Sequence, residues 1–139
     1  MTQPAPLPDQ TSAFYWSSAA EGRLAVQTCQ NCGTHHHPPV IACSRCQSEE
    51  LSPTQASGEG NVYTFTVVRQ AFDQAYLERI PYLVALIELD DHPSVWILSN
   101  LIAVDLADVY VGMPVNAYAL KVSDDIGIPN WEPQGGTVG

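Results

Sequence analysis

Four cysteines in two closely spaced pairs constrain the fold of this 139-residue chain more than any other feature. Cys29 and Cys32 form one C-x-x-C pair, and Cys43 and Cys46 form the other. Two residues between thiolates allow a tight turn to point both sulfurs at one ion, and two such knuckles complete a tetrahedral site. Because cysteine fills all four positions, the site is closed to substrate. We therefore predict one structural Zn²⁺ per chain in a zinc ribbon over residues 24–57.

The same cysteines have alternative uses. Two disulfides would require an oxidising compartment, and a redox pair normally lies on a thioredoxin-like background of strands and helices that this sequence lacks. Four thiolates accept iron as well as zinc, which would make the chain an electron carrier. His35, His36 and His37 could be alternative ligands or could contact a partner surface, but with four cysteines available we expect them to be exposed residues of the ribbon. His92 is expected to be exposed in a turn.

The sequence does not suggest a secretory signal or a membrane-spanning segment. Residues 1–12 are polar and proline-rich, with no positive charge before an apolar segment. The best apolar candidate, residues 82–89, contains Glu88 and is far shorter than the roughly 20 residues that span a bilayer. We expect a cytoplasmic protein with no membrane partner.

The charge balance argues against nucleic acid as a partner. Fifteen Asp and Glu residues outnumber five Lys and Arg residues, which gives a net charge of −10. Proteins bind nucleic-acid phosphates through clustered Lys and Arg side chains, whereas the five basic residues here are scattered. A zinc-ribbon and OB module that binds nucleic acid is therefore the alternative reading, and the charge opposes it.

The remaining sequence predicts a mainly β fold. An arm and a short helix occupy residues 1–23, and runs of β-branched, aromatic and aliphatic residues after the ribbon are typical of strands. No helix is long enough for the crossovers of a parallel sheet. The order of strands, hairpin and closing strand favours a five-stranded Greek-key barrel of the OB type over residues 58–124. Residues 125–139 are then a C-terminal tail.

Two groups of aromatic residues are candidate partner contacts. Phe14, Tyr15 and Trp16 are adjacent in the predicted helix, so they cannot all face one way. At least one of them should pack on another module of the chain or on another protein. Trp131 lies in the predicted tail, where it could anchor an interface or cap the barrel.

At this point the chain resembles a known family, the thiolase-associated proteins built from a rubredoxin-like zinc ribbon followed by an OB-fold. Individually the β motifs are weak, but their order together with the cysteines is specific. The resemblance rests on Gly22-Arg23-Leu24, Cys29-Gln30-Asn31-Cys32-Gly33, Pro38-Pro39, Cys43-Ser44-Arg45-Cys46, residues 58–66, residues 81–89, residues 98–101, Gly112-Met113-Pro114-Val115 and residues 128–133.

The resemblance implies a role as a non-catalytic small subunit of a heteromer built on a thiolase-like dimer. The large subunit of such a complex cleaves a carbon–carbon bond in an acyl-CoA, by thiolysis of a β-ketoacyl-CoA or by retro-aldol cleavage of a steroid side-chain-type CoA thioester. The OB-fold side helps form the acyl-CoA channel. No catalytic residue is expected in this chain, and Arg69 and Arg79 are candidate contacts for the CoA phosphates.

Overall fold

The computed structural model describes residues 5–134 and opens with one short helix. Helix α1 spans Ala13–Ala20, and Gly22, with φ of 80°, turns the chain into the first strand. A positive φ is readily adopted by glycine, which has no Cβ to clash. Tyr15 and Ala19 are the buried residues of α1. The predicted helix is confirmed, although residues 1–4 of the predicted arm lie outside the described residues.

A three-stranded antiparallel sheet follows and forms the ribbon. Its middle strand pairs with both neighbours, so the strand order is β2-β1-β3. The long pairing runs from Leu24 opposite Ala56 to Cys29 opposite Leu51. The strands are β1 (Leu24–Cys29), β2 (His35–His36) and β3 (Leu51–Ala56).

The second half of the chain forms a closed five-stranded barrel, as predicted. All neighbouring strands are antiparallel except β6 and β8, which run parallel. The order around the barrel is β4-β5-β6-β8-β7, the Greek-key connectivity of an OB-fold. The strands are β4 (Glu59–Val68), β5 (Tyr82–Leu89), β6 (Trp96–Leu101), β7 (Pro114–Lys121) and β8 (Gly127–Pro133).

Alternating burial defines the barrel interior. Side chains of successive residues point to opposite faces of a strand, and along β5 every second residue, from Leu83 to Leu89, is at most 2% exposed. At Gly60 a Cβ atom would lie 2.5 Å from the carbonyl oxygen of Glu88, so this close approach of β4 to β5 requires glycine. Between β6 and β7 the chain makes a hydrogen-bonded turn, in which the amide of Asp108 donates to the carbonyl of Asp105 at 2.9 Å.

The prediction of a C-terminal tail over residues 125–139 is wrong for its first half, because residues 127–133 form barrel strand β8. The carbonyl of Trp131 accepts a hydrogen bond from the amide of Ile102, on the β6 side of the strand. Pro129 and Pro133, two residues either way, face the same side and so leave the pairing with β7 intact. Residues 135–139 of the predicted tail lie outside the described residues.

Within residues 5–134, the structure contains no helix that is both long enough and apolar enough to cross a membrane.

Candidate metal centre and ligand face

The four cysteine side chains converge at the tip of the ribbon. Their sulfur atoms all lie within 4.8 Å of one another. The Sγ atoms of Cys29 and Cys46 are 3.5 Å apart, and those of Cys32 and Cys43 are 3.6 Å apart. A tetrahedral zinc site with Zn–S bonds of about 2.3 Å places sulfurs about 3.8 Å apart, so the sulfur set fits one tetrahedral ion.

The two knuckles have the same backbone design. In the first, the amide of Gly33 donates to the carbonyl of Cys29 at 2.8 Å, and in the second the amide of Gln47 donates to that of Cys43 at 2.8 Å. Both donors have a positive φ, 79° for Gly33 and 65° for Gln47. Glycine adopts this conformation readily, whereas glutamine rarely does, so the sequence gives no sign of it at Gln47.

Polar groups beside two of the four sulfurs favour the thiolate form that binds metal. The Thr34 hydroxyl lies 3.1 Å from Cys32 Sγ, and hydrogen bonding from Thr34 lowers the pKa of Cys32 to about 6. The Asn31 amide donates to Cys46 Sγ at 3.4 Å and lowers the pKa of that thiol. Such outer contacts orient metal ligands. The four cysteines therefore form a closed structural site for one metal ion, as predicted.

The expectation of exposed histidines is wrong for the ribbon. His36 is 8% exposed, and its Nε2 lies 3.3 Å from Cys43 Sγ, so the imidazole can donate a hydrogen bond to a metal-bound thiolate. The ring of His37 packs 5.0 Å from that of Tyr15, and burial lowers the pKa of His37 to about 4. Both residues contribute to ribbon packing, which a run of three polar residues does not indicate in sequence.

Two further histidines connect the ribbon to the barrel. His35 Nδ1 lies 2.9 Å from the Thr28 hydroxyl, and His35 Nε2 lies 3.2 Å from His92 Nδ1. Next to His92, the carboxylate of Asp91 accepts a hydrogen bond from the amide of Ser57 at 2.8 Å. His92 was expected in solvent, but its side chain is only 12% exposed. The connection fixes the ribbon against the β5–β6 turn.

The barrel carries a small cavity beside the β4–β5 loop. It has a volume of about 110 Å³, and Arg79 is one of its lining residues, with its guanidinium 5.5 Å from the ring centroid of Tyr76. Tyr76 stacks on Tyr82 at 5.4 Å. Arg69, the other predicted phosphate contact, is exposed at the end of β4 and does not line this cavity. The cavity is lined by Arg79, Tyr82, Leu83, Asn100, Leu101, Ile102 and Asn130.

The predicted partner contacts fall into two groups. Trp131 is 0% exposed and belongs to the barrel core, so its burial contradicts a role as a surface anchor. Tyr15 is 6% exposed and also lies in the core. Phe14 and Trp16 are half-buried against that core and retain accessible surface. Only these last two keep the exposure that a partner contact needs.

Sequence reasoning missed an apolar surface on the outside of the barrel. Tyr63, Trp96 and Leu98 are 47%, 44% and 66% exposed. The rings of Tyr63 and Trp96 stack with centroids 4.7 Å apart. Both β5 and residues 96–98 of β6 are apolar on both faces, so the sequence alone does not tell the inner face from the outer one.

The fold and the site together define a class of protein: a four-cysteine zinc ribbon joined to an OB barrel. Two family models match adjacent parts of the chain, the ChsH2 rubredoxin-like zinc ribbon domain over residues 16–52 and the ChsH2 C-terminal OB-fold domain over residues 53–119. The chain belongs to this ChsH2 family of zinc-ribbon and OB-fold proteins, which confirms the resemblance seen in the sequence.

Individual relatives are similar over most of the chain. A DUF35 domain-containing scaffold protein of Methanocaldococcus jannaschii is 34% identical over 70% of this chain and 67% of its own length. A probable enoyl-CoA hydratase alpha subunit of Thermomonospora curvata is 30% identical over 94% of this chain. The chain spans only 40% of the length of that second relative.

A solved structure has the same arrangement. A chain of the Ltp2-ChsH2(DUF35) aldolase superposes with a TM-score of 0.81 at 30% identity, covering 92% of this chain and 98% of the other. The similarity therefore extends over both the ribbon and the barrel.

Proposed function

We propose that this chain is a non-catalytic accessory subunit of a heteromeric complex that processes acyl-CoA thioesters. Its large subunit is a thiolase-like enzyme that cleaves a carbon–carbon bond, by retro-aldol cleavage of a steroid side-chain-type CoA thioester or by thiolysis of a β-ketoacyl-CoA. The observation that carries the proposal is the match over both modules to a chain of the Ltp2-ChsH2(DUF35) aldolase.

The chemistry of the barrel cavity supports a binding role rather than a catalytic one. Its polar side chains are a guanidinium, a phenol and two amides, from Arg79, Tyr82, Asn100 and Asn130. These groups donate and accept hydrogen bonds, but amides do not take up a proton at neutral pH. The cavity lining includes no carboxylate, histidine or cysteine. The base that starts bond cleavage would therefore come from the large subunit.

The size of the cavity supports a site shared between two subunits. Pockets that enclose a small-molecule ligand usually measure about 300–1,000 Å³, whereas this cavity measures about 110 Å³. It has room for one part of a CoA thioester only. A second protein surface placed over the cavity mouth would complete the channel.

The net charge of this chain also supports a CoA-binding site that is shared between the two subunits. CoA carries several phosphate charges, and this chain has a net charge of −10. Arg79 contributes one guanidinium to the cavity lining, with the stacked rings of Tyr76 and Tyr82 beside it. We assign one local phosphate or adenine contact to this cluster and the remaining phosphate contacts to the large subunit.

The test is co-expression with a thiolase-like protein from the same organism. We expect the two chains to co-purify and to cleave a β-hydroxyacyl-CoA or a β-ketoacyl-CoA only together. Arg79→Ala should raise KM about 10-fold in the intact complex, the effect of removing one charge-assisted hydrogen bond. Arg69→Ala is the matched control, with a change below about 2-fold. Separate purification of the two chains, with a fully active large subunit alone, would refute the proposal.

A further inference from the structure

The barrel presents one apolar surface that nothing in residues 5–134 covers. We call it the outer face and define it by Tyr63 on β4, Leu86 and Glu88 on β5, and Trp96 and Leu98 on β6. In β5 and β6 the intervening residues point inward and are buried, so these side chains point outward. Leu98 lies directly opposite Leu86 and Trp96 directly opposite Glu88 in the strand pairing.

The aromatic part of the outer face is held in place before any partner binds. Tyr63 and Trp96 stack with an interplanar angle of 21°, and the indole nitrogen of Trp96 donates to the Glu88 carboxylate at 3.4 Å. Fixed aromatic side chains lose little conformational freedom on binding, which is why they dominate the energetics of protein interfaces. Three exposed large apolar side chains side by side are typical of a docking surface rather than of ordinary surface.

Charge indicates what kind of surface would fit. Glu88 is the only charged residue of strands β5 and β6, and Asp90 follows β5 at the same end of the barrel. None of the five Lys and Arg residues of the chain lies in strands β4–β6. If two copies of this chain docked through their Trp96 side chains, the Glu88 carboxylates of the two copies would face each other and repel. Each copy also carries a net charge of −10, which adds to the repulsion. A partner with an apolar patch and a basic side chain opposite Glu88 is complementary.

The outer face is continuous with the cavity of the proposed acyl-CoA channel. Leu98 borders a shallow groove together with Tyr76, Tyr82 and Val84, and Tyr82 also lines the cavity beside Arg79. A protein seated on Trp96 and Leu98 and extending along β5 would therefore cover the cavity mouth as well. One surface can thus serve both docking and completion of the channel.

From these observations we infer that the outer face is the docking site for the large subunit, which contributes an apolar patch with an Arg or Lys facing Glu88. This inference rests on the proposed function, because it takes the large subunit to be the partner. It adds which surface of this chain is used and what chemistry the partner must present.

Matched arginine substitutions on and off the outer face test the assignment. Trp96→Arg and Tyr118→Arg change aromatic residues of similar exposure, 44% and 49%, but Tyr118 is on β7, which does not border β5 or β6. Leu98→Arg introduces the same charge at a position that is 66% exposed. Affinity for the purified thiolase-like subunit would be measured by titration calorimetry. We expect Trp96→Arg and Leu98→Arg to weaken binding more than about 30-fold and Tyr118→Arg less than about 3-fold.

A separate pair of variants tests the predicted basic residue of the partner. Glu88→Lys should weaken binding more than Glu88→Gln, because the lysine repels the basic side chain whereas the glutamine only loses its attraction. Thermal denaturation of each variant reports whether the barrel is still folded. Equal binding by Glu88→Lys and the wild-type chain would contradict the predicted basic partner residue.

The other outcomes separate this inference from the proposed function. If the complex forms equally well with Trp96→Arg and Leu98→Arg, the docking site is wrong while the proposed function stands. If the wild-type chain forms no complex, both are wrong. Sedimentation showing a dimer of this chain that Leu98→Arg abolishes would assign the face to a second copy. Binding of a fluorescent oligothymidylate that Trp96→Arg abolishes would assign it to single-stranded nucleic acid.

Discussion

The ribbon and the barrel are stabilised by different physical means. Between Cys29 and Leu51 the only buried side chains are those of Cys29, His36 and Cys43. The barrel instead buries a continuous apolar core, with Ile87 and Trp131 both 0% exposed. In a segment with so little apolar burial, the free energy of metal binding supplies the free energy of folding. One chain thus joins a metal-dependent module to a metal-independent one.

The largest expected effect is loss of the metal from the ribbon. Cys43→Ser removes one thiolate from the tetrahedron, and structural zinc sites contribute about 10–16 kcal/mol to the stability of such small modules. We expect the metal content to fall from one ion per chain to near zero, measured by elemental analysis. Ser44→Ala, at the exposed neighbouring position, is the control and should keep its metal. A Cys43→Ser chain that retains one tightly bound ion would contradict our account of the ribbon.

The next largest effect tests the barrel. Trp131→Ala removes a fully buried indole and should lower the free energy of unfolding by about 3–5 kcal/mol, as other large-to-small core substitutions do. Denaturant titration of the barrel measures this loss, and the metal content should be unchanged. Tyr118→Ala, at an aromatic residue that is 49% exposed, should cost less than about 1 kcal/mol. Equal losses for the two variants would show that Trp131 is not a core residue.

The smallest effect concerns the contact between the ribbon and helix α1. Burial against Tyr15 lowers the pKa of His37 to about 4, against about 6.5 in an unfolded chain. The unfolded state therefore binds more protons between these values, and stability falls as the pH falls. This histidine alone should lower the free energy of unfolding by about 2 kcal/mol between pH 7 and pH 5.

Comparison with a second variant isolates this contribution. His37→Phe keeps a ring beside Tyr15 but has no titrating group, so its stability should lack that part of the pH dependence. Denaturant titrations of both chains at pH 5, 6 and 7 measure the difference. If the two chains lose the same stability over this interval, His37 does not titrate as the structure implies.

The features of the ribbon and the barrel that depend on local sequence could be predicted from the sequence. A metal knuckle is encoded by residues close in sequence, so the two pairs Cys29–Cys32 and Cys43–Cys46 were sufficient to predict the ribbon. Runs of strand-forming residues, among them the long apolar run of β5, were sufficient to predict the barrel from the order of its elements. Both features depend on local sequence, and the structure confirms both.

The features that the sequence did not reveal depend on contacts between distant segments. Strand β8 is buried on both faces because α1 packs on it, so it lacks the alternation that identifies a strand, and Pro129 and Pro133 hide it further. The histidines near the ribbon are buried by Tyr15 and by the β5–β6 turn, far away in sequence. The position of the apolar outer face likewise depends on which side of β5 faces the barrel interior.

Hydrogen–deuterium exchange on the chain with and without its metal tests the central contrast most directly. With metal, amides of both modules should be protected. After the metal is removed under reducing conditions, we predict that protection is lost in residues 29–51 and kept in strands β4–β8, because the barrel core does not depend on the ion. Simultaneous loss of protection in both modules, or no loss in either, would contradict the account.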